Sequence, residues 1–327
     1  MDQKNKIRIG IIGYGNLGKG VELALKQNLD MELIAIFTRR DPESIDSSGK
    51  VEAYSEIEKY KNKIDVMILC GGSATDLPEQ VLHVSKHFHT VDSFDTHAKI
   101  PEYFEQVDRS AKGNNHLCLI STGWDPGLFS LARLLGQSVL PEGKDYTFWG
   151  KGLSQGHSDA VRKVKGVKNG VQYTLPSSQA IEKVRSGIQP ELSTSEKHIR
   201  ECYVVAEANA DTKAIEREIK NMPHYFEPYH TEVHFITEEE LQKNHAKMPH
   251  GGLVFRTGKS HAGSKQKIEF GLELESNPEF TSSVLVAYAR AVSKMAKEGQ
   301  TGARSVFDIP LGYLSPKSAY DLRKELL

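Results

Sequence analysis

Apolar positions along the chain fall into short runs and helical spacings by turns. Residues 7–12 (IRIGII) form an apolar run whose length and β-branched content predict a buried strand. Leu17, Val21, Ala24 and Leu25 then recur on one helical face, which predicts a helix from near Asn16 to about Gln27. Further strands are predicted at 31–37, 65–70, 90–92 and 117–120, and helices at 76–88 and 103–112, with Asp76 and Glu79 spaced as a capping box. This alternation predicts a parallel sheet covered on both faces. After Trp124-Asp125-Pro126-Gly127 the texture changes. Strand-like segments follow at 146–149, 171–175, 198–206, 232–236, 253–257 and 267–275, punctuated by helices near 179–185 and 213–221. The last segment alternates Ile268, Phe270, Leu272 and Leu274 with Lys267, Glu269, Glu273 and Glu275, the pattern of an antiparallel sheet with one wet face. Residues 258–265 supply a hairpin turn, and an amphipathic helix is predicted at 283–297. The expected organisation is α/β followed by α+β. A doubly wound dinucleotide-binding domain spans 1–125, a second domain with a mixed or antiparallel sheet spans 126–277, and 278–327 returns to the first.

Composition narrows the class. The chain has 327 residues, more than one simple core holds, and 38% are hydrophobic, as in ordinary globular proteins. Forty-two basic residues against forty-three acidic ones leave no excess for a polyanion, so no nucleic-acid partner is expected. Cys70, Cys118 and Cys202 are widely separated and form no CxxC pair, which argues against a disulfide framework or a structural zinc site. No apolar run reaches the ~20 residues that span a bilayer, and the start shows no signal-peptide pattern; a soluble cytoplasmic protein is expected.

Gly13-Tyr14-Gly15-Asn16-Leu17-Gly18 is GxGxxG between a predicted strand and helix. Gly13 permits the tight turn, Gly15 lets the backbone approach a pyrophosphate, and Gly18 allows close helix–strand packing. The second strand ends in Thr38-Arg39-Arg40 where an NAD site would place an acid. Two arginines and a threonine suit a 2′-phosphate, so NADP is the expected cofactor, although a solvated charge pair beside the Asp41-Pro42 turn reads the same way. Cys70-Gly71-Gly72-Ser73-Ala74-Thr75 ends the next internal strand with small residues suited to a ligand crevice. Cys70 is expected to be a buried strand residue rather than a nucleophile.

The segments GYGNLG, FTRR, CGGSATDLPEQ, TVDSFDTHAKIP, STGWDPGLFS, FWGKGLSQGHSDA, VQYTLP, MPHGG and SNPEFTSS resemble, in that order, the meso-diaminopimelate dehydrogenases in their longer form. The resemblance implies reversible NADP-dependent oxidative deamination of meso-2,6-diaminopimelate at its D-centre, in lysine biosynthesis. It also implies a Rossmann-type domain, a substrate-binding and dimerisation domain, and a homodimer. It implies that Asp95 and Asp125 flank the D-centre and supply the base, without deciding which, and that Trp124, Trp149, Gln155 and Gly156 lie near it. Thr174, Arg200, His250 and Asn277 would hold the distal L-centre. Asp92, Ser93, Phe94, Gly123, Trp124, Asp125, Pro126 and Gly127 would join the cofactor contacts.

Some of this has independent support. Asp95 and Asp125 lie just past predicted strand ends, where doubly wound sheets bind ligands, although a loop position and a helix cap explain them too. Arg200 shares a strand face with Cys202, Val204 and Ala206, and an arginine on such a face calls for an anion or a salt bridge. His250 by itself reads as a loop histidine, and Asn277 as a cap before Pro278. His83, His87 and His89 lack the glutamate of a HExxH motif, and Ser73, Ser121 and Ser154 sit in no G-x-S-x-G elbow. Glu238-Glu239-Glu240 reads as a helix start. No metal site is expected. Two other readings remain open: an NADP-dependent dehydrogenase for another amino acid, or a non-catalytic NADP-binding regulator.

Overall fold

The computed structural model describes residues 6–223, 225–261 and 263–327. In chain order, the first part runs β1 (Ile7–Ile12), α1 (Asn16–Gln27), β2 (Met31–Thr38), β3 (Val51–Ala53), β4 (Val66–Leu69), α2 (Leu77–Val84), β5 (His89–Asp92), α3 (Ile100–Gly113) and β6 (Leu117–Leu119). Helix α4 (Leu128–Val139) follows. The second part runs β7 (Gly143–Trp149), β8 (Gly152–Leu153), α5 (Gln155–Arg162), β9 (Val167–Pro176), α6 (Ser178–Arg185), α7 (Thr194–Lys197), β10 (His198–Ala206), α8 (Thr212–Lys220), β11 (Thr231–Phe235), α9 (Glu238–His245), β12 (His250–His261) and β13 (Ser264–Leu274). The chain ends with α10 (Asn277–Lys297), β14 (Gly302–Arg304) and α11 (Ala319–Leu326). Two compact units result, one of Met1–Leu131 with Pro278–Leu327, the other of Ala132–Asn277.

The first unit is a Rossmann-type layer structure. Its seven strands pair in parallel in the order β14-β6-β5-β4-β1-β2-β3. The central strands β1 and β4 are mostly apolar because helices cover both faces. Ile9, Ile11, Ile68 and Leu119 lie in one core with Val21 and Leu25 of α1, while Ile12, Met67 and Leu69 lie in the other with Val81 and Val107. The returning α10 belongs to the first core through Leu285, Tyr288 and Val292. Buried Arg290 of α10 anchors it, donating to Asp30 at 2.6 Å and to the Leu314 carbonyl at 2.7 Å. Breaking one half of such a buried pair leaves an uncompensated charge.

The second unit holds two sheets. Strands β11-β10-β9-β8 are antiparallel except for the parallel pair β10–β11, and β13-β12-β7 are antiparallel. Phe148, Phe255, Ile181 and Val184 form a core between the second sheet and α6.

Three local readings differ from the structure. The turn expected over 258–265 is shorter, because β12 runs to His261 and β13 begins at Ser264, so most of that segment is paired strand. Asp76 does not cap α2; its carboxylate accepts from the Gly72 amide at 2.8 Å and from Arg39 at 2.7 Å, so tertiary partners outcompete the local box. On β13 the alternation is present, yet Ile268 and Leu272 are only half-buried and Phe270 is exposed.

Candidate active site

At the carboxyl ends of the first unit's strands, the GxGxxG turn joins β1 to α1. Gly13 has φ +89°, the left-handed region, and a Cβ on Gly18 would lie 2.2 Å from the Gly13 carbonyl oxygen. A Cβ on Gly15 would meet nothing within 4 Å. Gly15 caps α1 with no side-chain hydrogen bond, so the first-turn amides carry no internal cap. Open space beside uncapped helix amides suits a pyrophosphate. Arg40 donates to the Tyr14 carbonyl at 2.6 Å and its amide to Thr38 Oγ1 at 3.1 Å, which sets the end of β2 against the turn. Arg39 is exposed and paired with Asp76. The sequence reading missed Glu22, which looks like an ordinary polar helix position. It is buried and accepts from Tyr14, Ser47 and Ser48, locking the loop after β2 onto α1. Burial alone would raise its carboxyl; Ser48, Tyr14, Ser47 and Lys26 hold it down at about 2. The donor set here, two arginines, a threonine hydroxyl and the amides at the start of α1, fits a phosphorylated dinucleotide.

Cys70, expected in a buried strand, lies one residue past β4 and is half-buried; loss of hydration still holds its thiol above its ordinary range, so it stays protonated. Ser73 Oγ accepts from the Asp95 amide at 2.9 Å, linking the loops after β4 and β5. Asp92 is fully buried. Its Oδ1 accepts from the amides of Phe94 and Ser121, both at 3.0 Å, and its Oδ2 from the Tyr103 hydroxyl at 2.8 Å. Phe94 in turn stacks on Tyr103, with ring centroids 4.1 Å apart. Asp92 therefore ties the strand ends that lead to Ser93 and Asp95 and to Gly123, Trp124 and Asp125. Burial raises its carboxyl to about 6 despite those three donors. Asp95 is exposed and Asp125 half-buried. Trp124 is buried edge-on against Phe129 at 5.3 Å, and the Trp124 carbonyl accepts from the Phe129 amide, so Gly123 to Gly127 form a tight turn into α4.

In the second unit, strand pairing gathers residues far apart in sequence. Gly152 pairs with Thr174 and Thr174 with Arg200, giving one row across three strands. The His250 ring lies over Gly152, where a Cβ would come within 2.6 Å of it. Arg200 donates to the Thr174 hydroxyl and stands 4.1 Å above the Tyr229 ring. It is 8% exposed and its Nε has no partner among the described residues. Burial lowers its pKa, with Tyr229 opposing. A buried guanidinium with an unused donor fits a carboxylate. Met248 connects two other candidates: its carbonyl accepts from the Asn277 amide at 2.9 Å and its sulfur lies 3.7 Å from Gln155 Nε2. A Cβ on the neighbouring Gly156 would also meet open space. Trp149 stacks on His198 at 5.5 Å, and its amide donates to His198 Nε2 at 2.9 Å. Burial lowers His198 to about 4, so the ring is neutral. His157 is lowered to about 4 by burial and then by Arg200. Tyr229, His157, His198 and buried Gln172, whose amide atoms have no hydrogen-bond partner among the described residues, were not found from sequence. His157 and Gln172 fall inside the segments that carry the resemblance without being singled out; strand pairing brings Gln172 and His198 near Arg200, while α5 carries His157 and the loop before β11 carries Tyr229.

A Rossmann-type sheet with a phosphate-ready glycine turn, joined in one chain to a sheet bearing a buried anion-seeking arginine, defines a dinucleotide-dependent dehydrogenase of small polar substrates. The comparisons make this particular. The model of the diaminopimelic acid dehydrogenase C-terminal domain matches residues 123–276. The meso-diaminopimelate D-dehydrogenase of Ureibacillus thermosphaericus is 63% identical over 99% of this chain and 100% of its own length. Two solved structures are similar throughout. The C. glutamicum DAP dehydrogenase in complex with DAP is 43% identical, with TM-score 0.89, over 99% of this chain and 100% of that one. An engineered D-amino acid dehydrogenase bound to NADP+ is 41% identical, with TM-score 0.84, over 98% of this chain and 100% of that one. The chain belongs to the meso-diaminopimelate D-dehydrogenase family, whose members are NADP-dependent amino-acid dehydrogenases.

Proposed function

We propose that the chain catalyses the reversible NADP-dependent oxidative deamination of meso-2,6-diaminopimelate at its D-centre, giving L-2-amino-6-oxopimelate, ammonia and NADPH, as a cytoplasmic step of lysine biosynthesis. The observation that carries this reading is the row Gly152, Thr174 and Arg200 under the His250 ring. It gathers a cation, a hydroxyl and an imidazole where the carboxylate and amino group of the distal L-centre need donors and an acceptor. Asn277 extends that set.

Bound NADP+ would supply the acceptor for the hydride that leaves the substrate α-carbon, and water then hydrolyses the resulting substrate imine, giving the carbonyl oxygen and releasing ammonia. The protein holds the reacting centre still and moves protons. Asp95 and Asp125 hold the D-centre ammonium, and one of them takes its proton as the carbon is oxidised. Trp124, Trp149, Gln155 and Gly156 line that end of the substrate and orient it. Gly13, Gly15, Asn16, Leu17 and Gly18 hold the pyrophosphate; Thr38, Arg39 and Arg40 hold the 2′-phosphate. Residues 70–75, 92–94 and 123–127 complete the cofactor's surroundings, with Asp92 acting through the loops it fixes. The functional protein is a homodimer, supported by Leu134, Leu135 and Val139 of α4, which are 43%, 62% and 54% exposed in a single chain.

The test follows NADPH absorbance with meso-diaminopimelate, its L,L isomer and simple D-amino acids. Turnover of the meso isomer, with the L,L isomer inert, supports the assignment. Turnover of other amino acids only would move the protein to another specificity, and turnover of none would make it a regulator.

A further inference from the structure

Strands β10 and β11 run parallel, with Glu201 opposite Glu232 and Tyr203 opposite His234. Side chains alternate between faces, so this outer face is the reverse of the one bearing Arg200 and Cys202. It brings three ionisable groups to one point. His234 Nε2 lies 3.7 Å from a carboxylate oxygen of Glu201 and 3.7 Å from one of Glu232. One donor atom from each of the three residues lies within 4.8 Å of the other two. Like charges directly opposite on neighbouring strands destabilise the pair. Among the described residues, the ion-pair partners of these two carboxylates are histidines alone: His234 for both, and His230 for Glu232.

We propose that Glu201, Glu232 and His234 bind a divalent transition-metal ion, zinc by preference. An imidazole with two carboxylates selects zinc and its neighbours over magnesium or calcium, which prefer all-oxygen shells. Tetrahedral zinc with ligands at 2.0–2.2 Å places its donor atoms roughly 3.3 Å apart; the two imidazole–carboxylate separations are 3.7 Å and all three donors lie within 4.8 Å, so side-chain rotation must draw them in. The surroundings orient the ligands. Tyr203 stacks on the His234 ring at 5.1 Å and 27°, and packs on His245 at 4.1 Å. His230 Nε2 lies 3.3 Å from Glu232 Oε1, which leaves Oε2 for the ion. Water fills the fourth position, since Glu232 and His234 are solvent-exposed.

The role follows from position. β11 is the edge strand of its sheet, and Glu201 adjoins Arg200 on β10. An ion shared by β10 and β11 clamps the edge strand to the strand that carries Arg200. Binding only the native state, it also raises stability by mass action. No electron or group transfer is involved.

The experiment uses the full chain, stripped with chelator and dialysed, then titrated with Zn2+ by calorimetry and by thermal unfolding. The expected result is one saturable site per chain, roughly micromolar, and a Tm that rises with zinc. Glu201→Gln and His234→Gln should each weaken binding at least about tenfold and abolish the Tm rise, whereas His83→Gln should leave both intact. Absence of a saturable site, or identical titrations in the Glu201 and His234 variants, overturns the proposal. If a variant fails to fold, the wild-type chain loaded with Co2+ decides: visible bands of a low-coordinate site that zinc displaces support it, and their absence overturns it.

Discussion

Arg200 stands directly opposite Thr174 in the antiparallel pair β9–β10, and its guanidinium donates to the threonine hydroxyl. With Tyr229 stacked beneath it, the guanidinium is held in one orientation while its Nε has no partner among the described residues. A cation prepared in this way, buried before any ligand arrives, binds a carboxylate with little loss of side-chain freedom.

Arg200→Ala should therefore raise KM for meso-diaminopimelate, lowering kcat/KM by roughly 10- to 100-fold, the worth of one charge-assisted interaction of about 1.5–3 kcal/mol. Affinity for NADPH should stay unchanged in a fluorescence titration. An equal loss of NADPH affinity would remove Arg200 from the substrate site.

Arg39→Ala should act in the opposite sense. Loss of one charged partner for the 2′-phosphate should weaken NADPH binding by about tenfold or more and leave NADH binding as it was. Titration of both dinucleotides against wild type and variant gives the ratio. An unchanged preference would mean that Arg39 serves only its pair with Asp76.

Gly15→Ala separates binding from folding. Its Cβ meets no atom of the protein and φ is −88°, so Tm of the protein without cofactor should change by no more than an N-cap exchange of under about 1 kcal/mol. The methyl would occupy the approach of the pyrophosphate, and NADPH affinity should fall at least about tenfold. Gly18→Ala should lower Tm itself, because its Cβ would lie 2.2 Å from the Gly13 carbonyl oxygen.

Asp92 has a pH signature. Its carboxyl is raised by burial from 3.8 to about 6, so the folded state holds the proton more tightly than the unfolded state does. The resulting stabilisation is complete below about pH 4 and is lost as pH rises through about 6. Asp92→Asn keeps an acceptor for the Phe94 and Ser121 amides but cannot ionise. Relative to wild type, its Tm should improve steadily between pH 4 and pH 7. A wild-type-minus-variant difference flat across that range would contradict the raised value.

The apolar face of α4 predicts assembly. Leu135→Glu should shift sedimentation from dimer to monomer at micromolar protein, since a buried charge at an interface costs several kcal/mol. A variant that stays dimeric would place the interface elsewhere.

Much of the fold was legible because it is local. The strand at Ile7–Ile12 and the helix at Asn16–Gln27 appear at the bounds read from periodicity, and the glycine turn joins them. Arg200 shares its buried face with Cys202 and Val204, as two-residue alternation requires. Local signals failed where a distant partner competed: Asp76 left its helix cap for Arg39, 37 positions earlier, while the Gly72 amide in its own loop took the other oxygen. Glu22 looked like a solvated helix position until Ser47 and Ser48 reached it from the next loop.

Periodicity and a short glycine motif, both set within a dozen residues, thus determined the layered first unit and its phosphate-ready turn. The tertiary structure alone decided which residues meet: His250 over Gly152, Tyr229 under Arg200, and Glu201 facing Glu232 and His234. Those meetings depend on strand register and on chain closure over tens of residues. A slip of one residue would turn each side chain to the other face, and no local pattern along the chain encodes that choice.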